Sequence, residues 1–299
     1  MLLPVIAAVD GSAESLAAAE WAAREAARRG RPLKLLHAWS RHPRQDGEPA
    51  TAAQRHLARR CLRQAEERVQ HTCPGVRVEE EQVEGPATAA LLHAAEEADL
   101  LVLGSRGLSG FTGFVVGSVA LGVVARAARP VVLVRAEETA PDEHVPDAAG
   151  HDSTRTPYRD VVLALDLDDR CDEVIEFAFE AARLRHARLR VVHAWQQPSA
   201  IALGPGDIGL VQEPQRADEW LGFMTAVLQV WREKYPEVEV AETVTEGRAR
   251  SVLVRAASGA SLLVVGRRGT DRPAGPRTGP FAHAAIHHVG CPVAVVPHA

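Results

Sequence analysis

The sequence repeats itself at a spacing of about half its length. "VIAAVDGS" at Val5–Ser12 corresponds to "VVLALDLD" at Val161–Asp168, and "LKLLHAW" at Leu33–Trp39 corresponds to "LRVVHAW" at Leu189–Trp195. Both pairs are 156 positions apart, a period much longer than the 20–50 residues of solenoid repeats. The repeat therefore predicts two copies of one globular unit in tandem.

The second copy carries an insertion. Gly85 and Gly104 correspond to Gly247 and Gly266, and these pairs are 162 positions apart. The six additional residues fall between the second strand and the glycine that follows the third. The Gly- and Pro-rich stretch "QQPSAIALGPGDIGLVQEP" is typical of a loop and is the predicted place of the insertion.

The length of 299 residues fits two domains. We predict a first domain over residues 1–136, a linker over 137–157 and a second domain over 158–299. The linker is acidic, rich in proline and without hydrophobic periodicity, which predicts a mobile segment.

Within each copy, short apolar runs alternate with segments of helical periodicity. The first half reads as five strands near 5–9, 33–39, 76–83, 99–104 and 130–135, with four helices between them: from Ser12 to Gly30, near Ala52–Gln70, from Pro86, and over Ser118–Ala128. The third strand, "VRVEEEQV", is more polar and is predicted to lie near a sheet edge. The pattern predicts an α/β fold: two tandem doubly wound, Rossmann-like domains, each an open five-stranded parallel sheet with helices on both faces.

Charge and cysteine content narrow the class of protein. A net charge of -5 gives no basis for binding nucleic acid or an anionic membrane. The apolar N-terminal run stops at Asp10, too short to span a bilayer. Four scattered cysteines without a CxxC pair indicate neither a zinc site nor a disulfide framework, so we expect a cytoplasmic protein.

A cluster of glycines follows the fourth strand. "GSRGLSGFTGFVVGS" at Gly104–Ser118 contains five glycines in fifteen residues. Gly104 and Gly107 are expected to take positive φ and turn backbone N–H groups toward an anion, and Gly117 precedes the start of a helix. Phosphate is the natural ligand, although such a stretch also serves as a simple tight connection.

Asp10 ends the first strand, at the same edge of the sheet as Gly104. A carboxylate there can accept hydrogen bonds from a ribose or from a base amino group. It can also cap the helix that follows, although Ser12 is better placed to do so. Together the carboxylate and the glycines predict a nucleotide pocket at the carboxyl ends of the strands.

Histidines and known catalytic motifs add no further site. His37 and His193 are predicted to be packed and hydrogen bonded, and the His283, His287 and His288 cluster to be a solvated helix face. There is no GxxxxGK[ST] loop, GxSxG elbow or HExxH pair, and no GxGxxG after the first strand. We therefore expect no catalytic residues and no metal centre.

At these residues the chain resembles the ATP-binding branch of the universal stress protein family. The family's pattern is G-x2-G-x9-G-[ST], which Gly104, Gly107, Gly117 and Ser118 match in full. The resemblance, which covers nearly everything outside the linker, implies an adenine nucleotide α-hydrolase-like fold with ATP as cofactor; other adenylates and magnesium stay open. It implies adenine beside Ala38 and ribose near Asp10. The implied binding residues are Ala8, Val9, Asp10, Ala38, Gly104, Ser105, Arg106, Gly107, Gly117, Ser118 and Val119.

The second copy departs from this pattern. Its weaker candidates are Asp166, Ala194, Gly266, Gly269 and Gly279. Pro280 stands in place of Ser118 and removes a hydroxyl and an N–H, and Leu167 replaces Gly11. The lost phosphate donors can be compensated by the positive charge of nearby arginines, or these arginines form a solvated loop; they are Arg267, Arg268, Arg272 and Arg277. We predict a competent first site and a weakened second one.

Three functions stay open at this point. The favoured one is a nucleotide-binding regulatory protein of the stress response, in which ATP orders the loop at 108–116 for an unidentified protein partner. The others are a slow ATPase or self-phosphorylating enzyme that uses Ser105, Ser109 or Thr112, and a ligand-free structural dimeriser. The resemblance also implies pairing through the fifth strands, either in a homodimer or as an intrachain pseudo-dimer.

Overall fold

A computed structural model describes residues 2–39, 48–105, 116–167, 171–196, 213–269 and 279–298. The two halves build one ten-stranded sheet in the order β3-β2-β1-β4-β5-β10-β9-β6-β7-β8. The strands are β1 (Val5–Ala8), β2 (Leu33–Trp39), β3 (Val78–Glu84), β4 (Leu100–Ser105), β5 (Val131–Arg135), β6 (Val161–Ala164), β7 (Leu189–Trp195), β8 (Val240–Glu246), β9 (Leu262–Arg268) and β10 (Val293–His298). The helices are α1 (Ala13–Arg29), α2 (Glu48–Thr72), α3 (Ala87–Glu96), α4 (Ser118–Val124), α5 (Asp172–Arg185), α6 (Glu213–Lys234), α7 (Ala249–Ala256) and α8 (Pro280–His288).

Pairing within each half is parallel, and the third strand of each half lies at a sheet edge, as predicted. One hydrophobic core lies between the sheet and α1, α2, α5 and α6, and the other lies under α3, α4, α7 and α8. The predicted α/β fold with helices on both faces is confirmed. The proposed place of the six-residue insertion falls largely outside the described residues.

Local signals set the first helix. The Ser12 side chain accepts a hydrogen bond from the Ser15 N–H at 3.2 Å, and Gly30 ends the helix at φ 60°. An oxygen at the N-cap and a left-handed glycine after the last turn satisfy groups that a helix leaves unpaired. Both predicted ends of this helix are confirmed, whereas α4 stops four residues earlier than predicted.

The fifth strands of the two halves pair with each other within the chain. β5 and β10 run antiparallel, with Val131 opposite Val295 and Leu133 opposite Val293. The intrachain form of the predicted fifth-strand pairing is therefore the one that the structure contains. It makes the two five-stranded sheets continuous.

The segment predicted as a mobile linker is instead packed against the first helix. Glu143, in a short 3₁₀ turn at Ala140–Glu143, is buried and forms ion pairs with Arg24 at 2.7 Å and Arg28 at 2.8 Å. His144 and Tyr158 form a β-bridge across the segment. The prediction of mobility is wrong because this carboxylate is held by arginines more than a hundred positions away, which local composition does not reveal.

Buried charges also join the two halves. Glu25 of α1 contacts Arg28 and Arg29 of its own helix and Arg185 of α5, at 3.0, 2.6 and 2.8 Å. Burial opposes ionisation of Glu25, but the three guanidinium groups outweigh it and hold the pKa of this carboxyl far below its usual range. The cluster is therefore charged throughout the neutral range.

A second titratable group lies in a cavity of about 610 Å³ between the linker and the second half. Burial, together with the neighbouring carboxylates of Glu143 and Asp142, raises the pKa of Glu138 to about 8. In the unfolded chain the pKa of this group returns to the ordinary glutamate range. The unfolded state therefore loses its proton first, and the wild type loses stability as the pH rises from about 5 to 8.

Replacing Glu138 with glutamine is expected to abolish this loss of stability at high pH. At pH 4, below the ordinary pKa of a glutamate, the variant and the wild type should unfold at the same denaturant concentration. At pH 9 the variant should be more stable by on the order of 2 kcal/mol. Urea unfolding at both pH values measures the difference, and Glu137→Gln, at an exposed neighbour, is the control. A difference that does not change with pH would contradict this assignment.

Candidate functional site

A cavity of about 650 Å³ opens at the carboxyl ends of β1, β2 and β4. β1 lies between β2 and β4, so the chain's strand order reverses there, which is where open α/β sheets bind ligands. Eight of the predicted residues line it: Ala8, Val9, Asp10, Ala38, Gly104, Gly117, Ser118 and Val119. The structure therefore brings together residues from four separate parts of the first half.

Further lining residues escaped the sequence analysis. Ser12 caps α1, Glu14 and Ser15 come from its first turn, and Ala87 and Leu91 come from one face of α3. The remaining ones are Leu36, Leu103 and Ala120. The i,i+4 spacing of Ala87 and Leu91 was a usable signal, but only the strand order shows that α3 borders this cavity.

Hydrogen bonds from Ser12 hold Asp10 in a turn. Its Oδ1 accepts the Ser12 backbone N–H at 2.9 Å and the Ser12 hydroxyl at 2.5 Å. Burial raises the pKa of Asp10, but the hydrogen bonds from Ser12 outweigh it, and the pKa lies below its ordinary value. Asp10 is therefore an ionised acceptor on the cavity wall, and Ser12, not Asp10, caps the helix.

Gly104 owes its identity to close approach of another backbone. It does not have positive φ, so that expectation was wrong. A Cβ at this position would lie 2.6 Å from the Glu14 carbonyl carbon and 2.8 Å from the Ser15 nitrogen. The first turn of α1 can thus pack directly against the end of β4. Arg106 and Gly107 lie outside the described residues.

Ser105 is the predicted site residue whose side chain is turned away. It is buried, accepts a hydrogen bond from Arg135 Nη1 at 3.0 Å and donates one to the Val134 carbonyl at 3.3 Å. Its hydroxyl is therefore engaged in the sheet and does not line the cavity. Ser109 and Thr112, the other hydroxyls considered for self-phosphorylation, lie outside the described residues.

The corresponding region of the second half is built differently. A Cβ on Gly266 would meet the His298 ring at 3.0 Å, and the Gly269 N–H donates to the His298 carbonyl at 2.7 Å. Leu167 is buried where the first half has Gly11 at φ 85°. Gly279 precedes α8, which begins at Pro280, while Asp166 and Ala194 are half-buried near the ends of β6 and β7.

Comparison with known families decides what this repeated fold is. The model of the universal stress protein family matches the chain twice, over residues 1–135 and 157–297. The chain belongs to the universal stress protein family. Each half of the ten-stranded sheet is thus one domain of that family.

Tandem relatives match this universal stress protein along its length. It is 29% identical over 302 residues to Universal stress protein Rv2005c of Mycobacterium tuberculosis strain H37Rv, covering 97% of this chain and 96% of that one. A universal stress protein crystal structure from Archaeoglobus fulgidus has a TM-score of 0.72 at 18% identity and covers 99% and 98% of the two chains. A further structure from that organism, a complex with dAMP, has a TM-score of 0.35 at 25% identity and covers 44% of this chain and 97% of that one.

Two histidines of this family member are packed and hydrogen bonded as predicted. His37 Nδ1 lies 2.6 Å from the Val9 carbonyl oxygen, and His193 Nδ1 lies 3.0 Å from that of Leu165, so both fix the ends of neighbouring strands. In the cluster predicted to be a solvated helix face, His283 is exposed on α8, but His287 and His288 are half-buried because α8 packs against the rest of the second half. Within the described ranges there is no cluster of three metal-ligating side chains, and no helix there is both long and apolar enough to cross a bilayer.

Proposed function

We propose that this universal stress protein is a regulatory protein that binds ATP in the cavity of its first half. The observation that carries the proposal is the meeting of Asp10, Gly104 and the Gly117–Val119 segment around one cavity. Its volume of about 650 Å³ lies within the range typical of cofactor sites. The match to the glycine pattern of the ATP-binding branch supports the same ligand.

The chemistry of the wall divides into an apolar and a polar part. Leu36, Ala38 and Leu91 form apolar surface suited to an adenine ring. The ionised Asp10 carboxylate suits ribose hydroxyls, which satisfy it without a counter-ion. The backbone at Gly117, which has no side chain, allows a phosphate group to approach N–H groups closely.

The second half is proposed to bind nucleotide weakly or not at all. Leu167 fills space near Asp166, His298 lies against Gly266, and Pro280 has no N–H or hydroxyl to offer a phosphate. The two domains of one chain would therefore differ in occupancy.

Regulation is favoured over catalysis. Of the three hydroxyls considered for self-phosphorylation, that of Ser105 belongs to the described residues, and it is hydrogen bonded inside the sheet, which leaves it poorly placed to accept a phosphoryl group. We propose that binding of cytoplasmic nucleotide at this site changes the surface that the protein exposes to a partner protein.

Isothermal titration calorimetry with ATP tests the proposal. We expect a stoichiometry of one nucleotide per chain, and native mass spectrometry of the purified protein should show a single adenine nucleotide bound. Two equally tight sites would contradict the proposed difference between the halves. Failure to bind any adenine nucleotide would contradict the function itself.

A further inference from the structure

An arginine of the second half reaches the end of a helix in the first. Arg267, at the end of β9, is buried and donates hydrogen bonds from Nη1 to the Ala125 carbonyl at 3.3 Å and from Nη2 to the Ala127 carbonyl. Ala125 directly follows α4, and Ala127 lies two residues further on. Since the last carbonyls of a helix have no partner within it, the second half satisfies the C-terminal end of this first-half helix.

A reciprocal contact runs in the other direction. Arg135, at the end of β5, donates from Nη2 to the carbonyls of Ile286 and Val289, at 2.6 and 3.0 Å, at the C-terminal end of α8. In the repeat Val289 corresponds to Ala127. Each half therefore holds the same turn of the other.

The two arginines do not occupy corresponding positions. Arg135 on β5 is in register with Ser105 on β4, whereas Arg267 on β9 is in register with Pro297 on β10. In the repeat Arg267 corresponds to Ser105, and Pro297 to Arg135. In each half, one of the two paired positions is an arginine: Arg135 on β5 in the first half and Arg267 on β9 in the second. Each of these arginines donates to the turn that ends a helix of the other half. The contact is thus built twice by different means.

The helix that Arg267 holds is the one that borders the cavity of the first half. Gly117, Ser118 and Val119, at its start, line that cavity, and Ala125 follows its other end. At 1.5 Å per residue such a short helix moves as a rigid piece, so fixing one end fixes the other. Arg267 itself lies outside the cavity lining.

We propose that Arg267 is a positioning residue for the nucleotide cavity of the other half, so that the second domain, with its altered motif, completes the first site. This inference rests on the proposed function for the identity of the ligand. The position of α4 can be measured without any ligand.

The test compares three variants at a temperature where all are folded. Arg267→Met keeps the aliphatic stem but removes the donors, and Arg267→Lys restores a single donor group. Arg255→Met removes the same charge from an exposed position on α7. We expect Arg267→Met to weaken ATP binding about tenfold at unchanged stoichiometry, Arg267→Lys to recover part of the affinity, and Arg255→Met to bind like the wild type.

Hydrogen exchange without nucleotide gives an independent reading. In Arg267→Met the amides of 118–124 should exchange faster than in the wild type, while those of α3 should be unchanged. Wild-type affinity in Arg267→Met would overturn the proposal even if thermal stability falls, because a merely structural arginine predicts that result. If the wild type does not bind ATP, the proposed function fails, and hydrogen exchange in α4 then tests the role of Arg267 by itself. Faster exchange in Arg267→Met than in the wild type would support a positioning role, and unchanged exchange would overturn it.

Discussion

Replacing Glu25 with glutamine is expected to lower the free energy of unfolding by about 3–5 kcal/mol. The carboxylate is fully buried between Arg28, Arg29 and Arg185, and the Arg185 side chain has no exposed surface. Without this carboxylate the buried Arg185 loses its ion-pair partner in a medium that solvates charge poorly, while Arg28 keeps Glu143 and Arg29 keeps Asp99. Glu143 is the remaining acid of the cluster, and its ion pairs are with Arg24 and Arg28.

The pH dependence of this effect has a definite sign. The pKa of Glu25 is lowered by folding, so its contribution is present above the ordinary pKa of a glutamate and is lost only as the pH falls toward the folded value. The difference between Glu25→Gln and the wild type should therefore be constant between about pH 6 and 9 and shrink in acid.

Chemical denaturation at several pH values measures the effect. Glu180→Gln is the matched control, because the Glu180 side chain is 40% exposed and lies 3.8 Å from Arg29. It should change the free energy of unfolding by less than about 0.5 kcal/mol. A loss below about 1 kcal/mol for Glu25→Gln would show that the cluster does not join the halves as described.

The parts of the fold that the sequence predicted are those set by local pattern. Apolar strands, the Ser12 cap and the Gly30 stop are each determined within a few residues. The polar composition of β3 likewise indicated its edge position. The repeat then transferred these assignments from the first half to the second.

What the sequence left open depends on contacts between distant residues. Fifth-strand pairing within a chain and between chains uses the same residues, so only the assembled sheet distinguishes them. Gly104 was predicted to be a glycine because of positive φ, but the position requires glycine because the backbone of α1 packs against it. The linker and Arg267 are likewise held by partners more than a hundred positions away.

The candidate site shows the same division. Asp10, Ala38 and the Gly117–Val119 segment were predicted, because a motif and strand ends mark them. Ala87 and Leu91 complete the wall through a helix that carries no motif. The hydroxyl of Ser105 does not line the cavity because Arg135, on the neighbouring strand β5, donates a hydrogen bond to it.

Replacing Gly117 with valine should have the largest effect on ligand binding. Gly117 lines the cavity at φ -63° and ψ 152°, a conformation that valine adopts readily, and a Cβ there would meet no atom of the described residues within 4 Å. The added side chain would thus occupy cavity space without distorting the fold. We expect ATP binding to weaken by about a hundredfold or more.

The second half supplies the matched control. Gly279 precedes α8 as Gly117 precedes α4, at φ -55° and ψ 164°, and within the part of the chain that the structure describes a Cβ there also meets no atom within 4 Å. Gly279→Val therefore makes the same chemical change at the corresponding turn of the half proposed not to bind. Any cost to the start of a helix is shared by both variants.

Calorimetric titration of ATP into the wild type, Gly117→Val and Gly279→Val distinguishes the two halves as the place where the nucleotide binds. We expect one site in the wild type, loss of that site in Gly117→Val and an unchanged site in Gly279→Val. Equal binding by all three proteins, or loss in Gly279→Val alone, would contradict the assignment of the nucleotide to the first half.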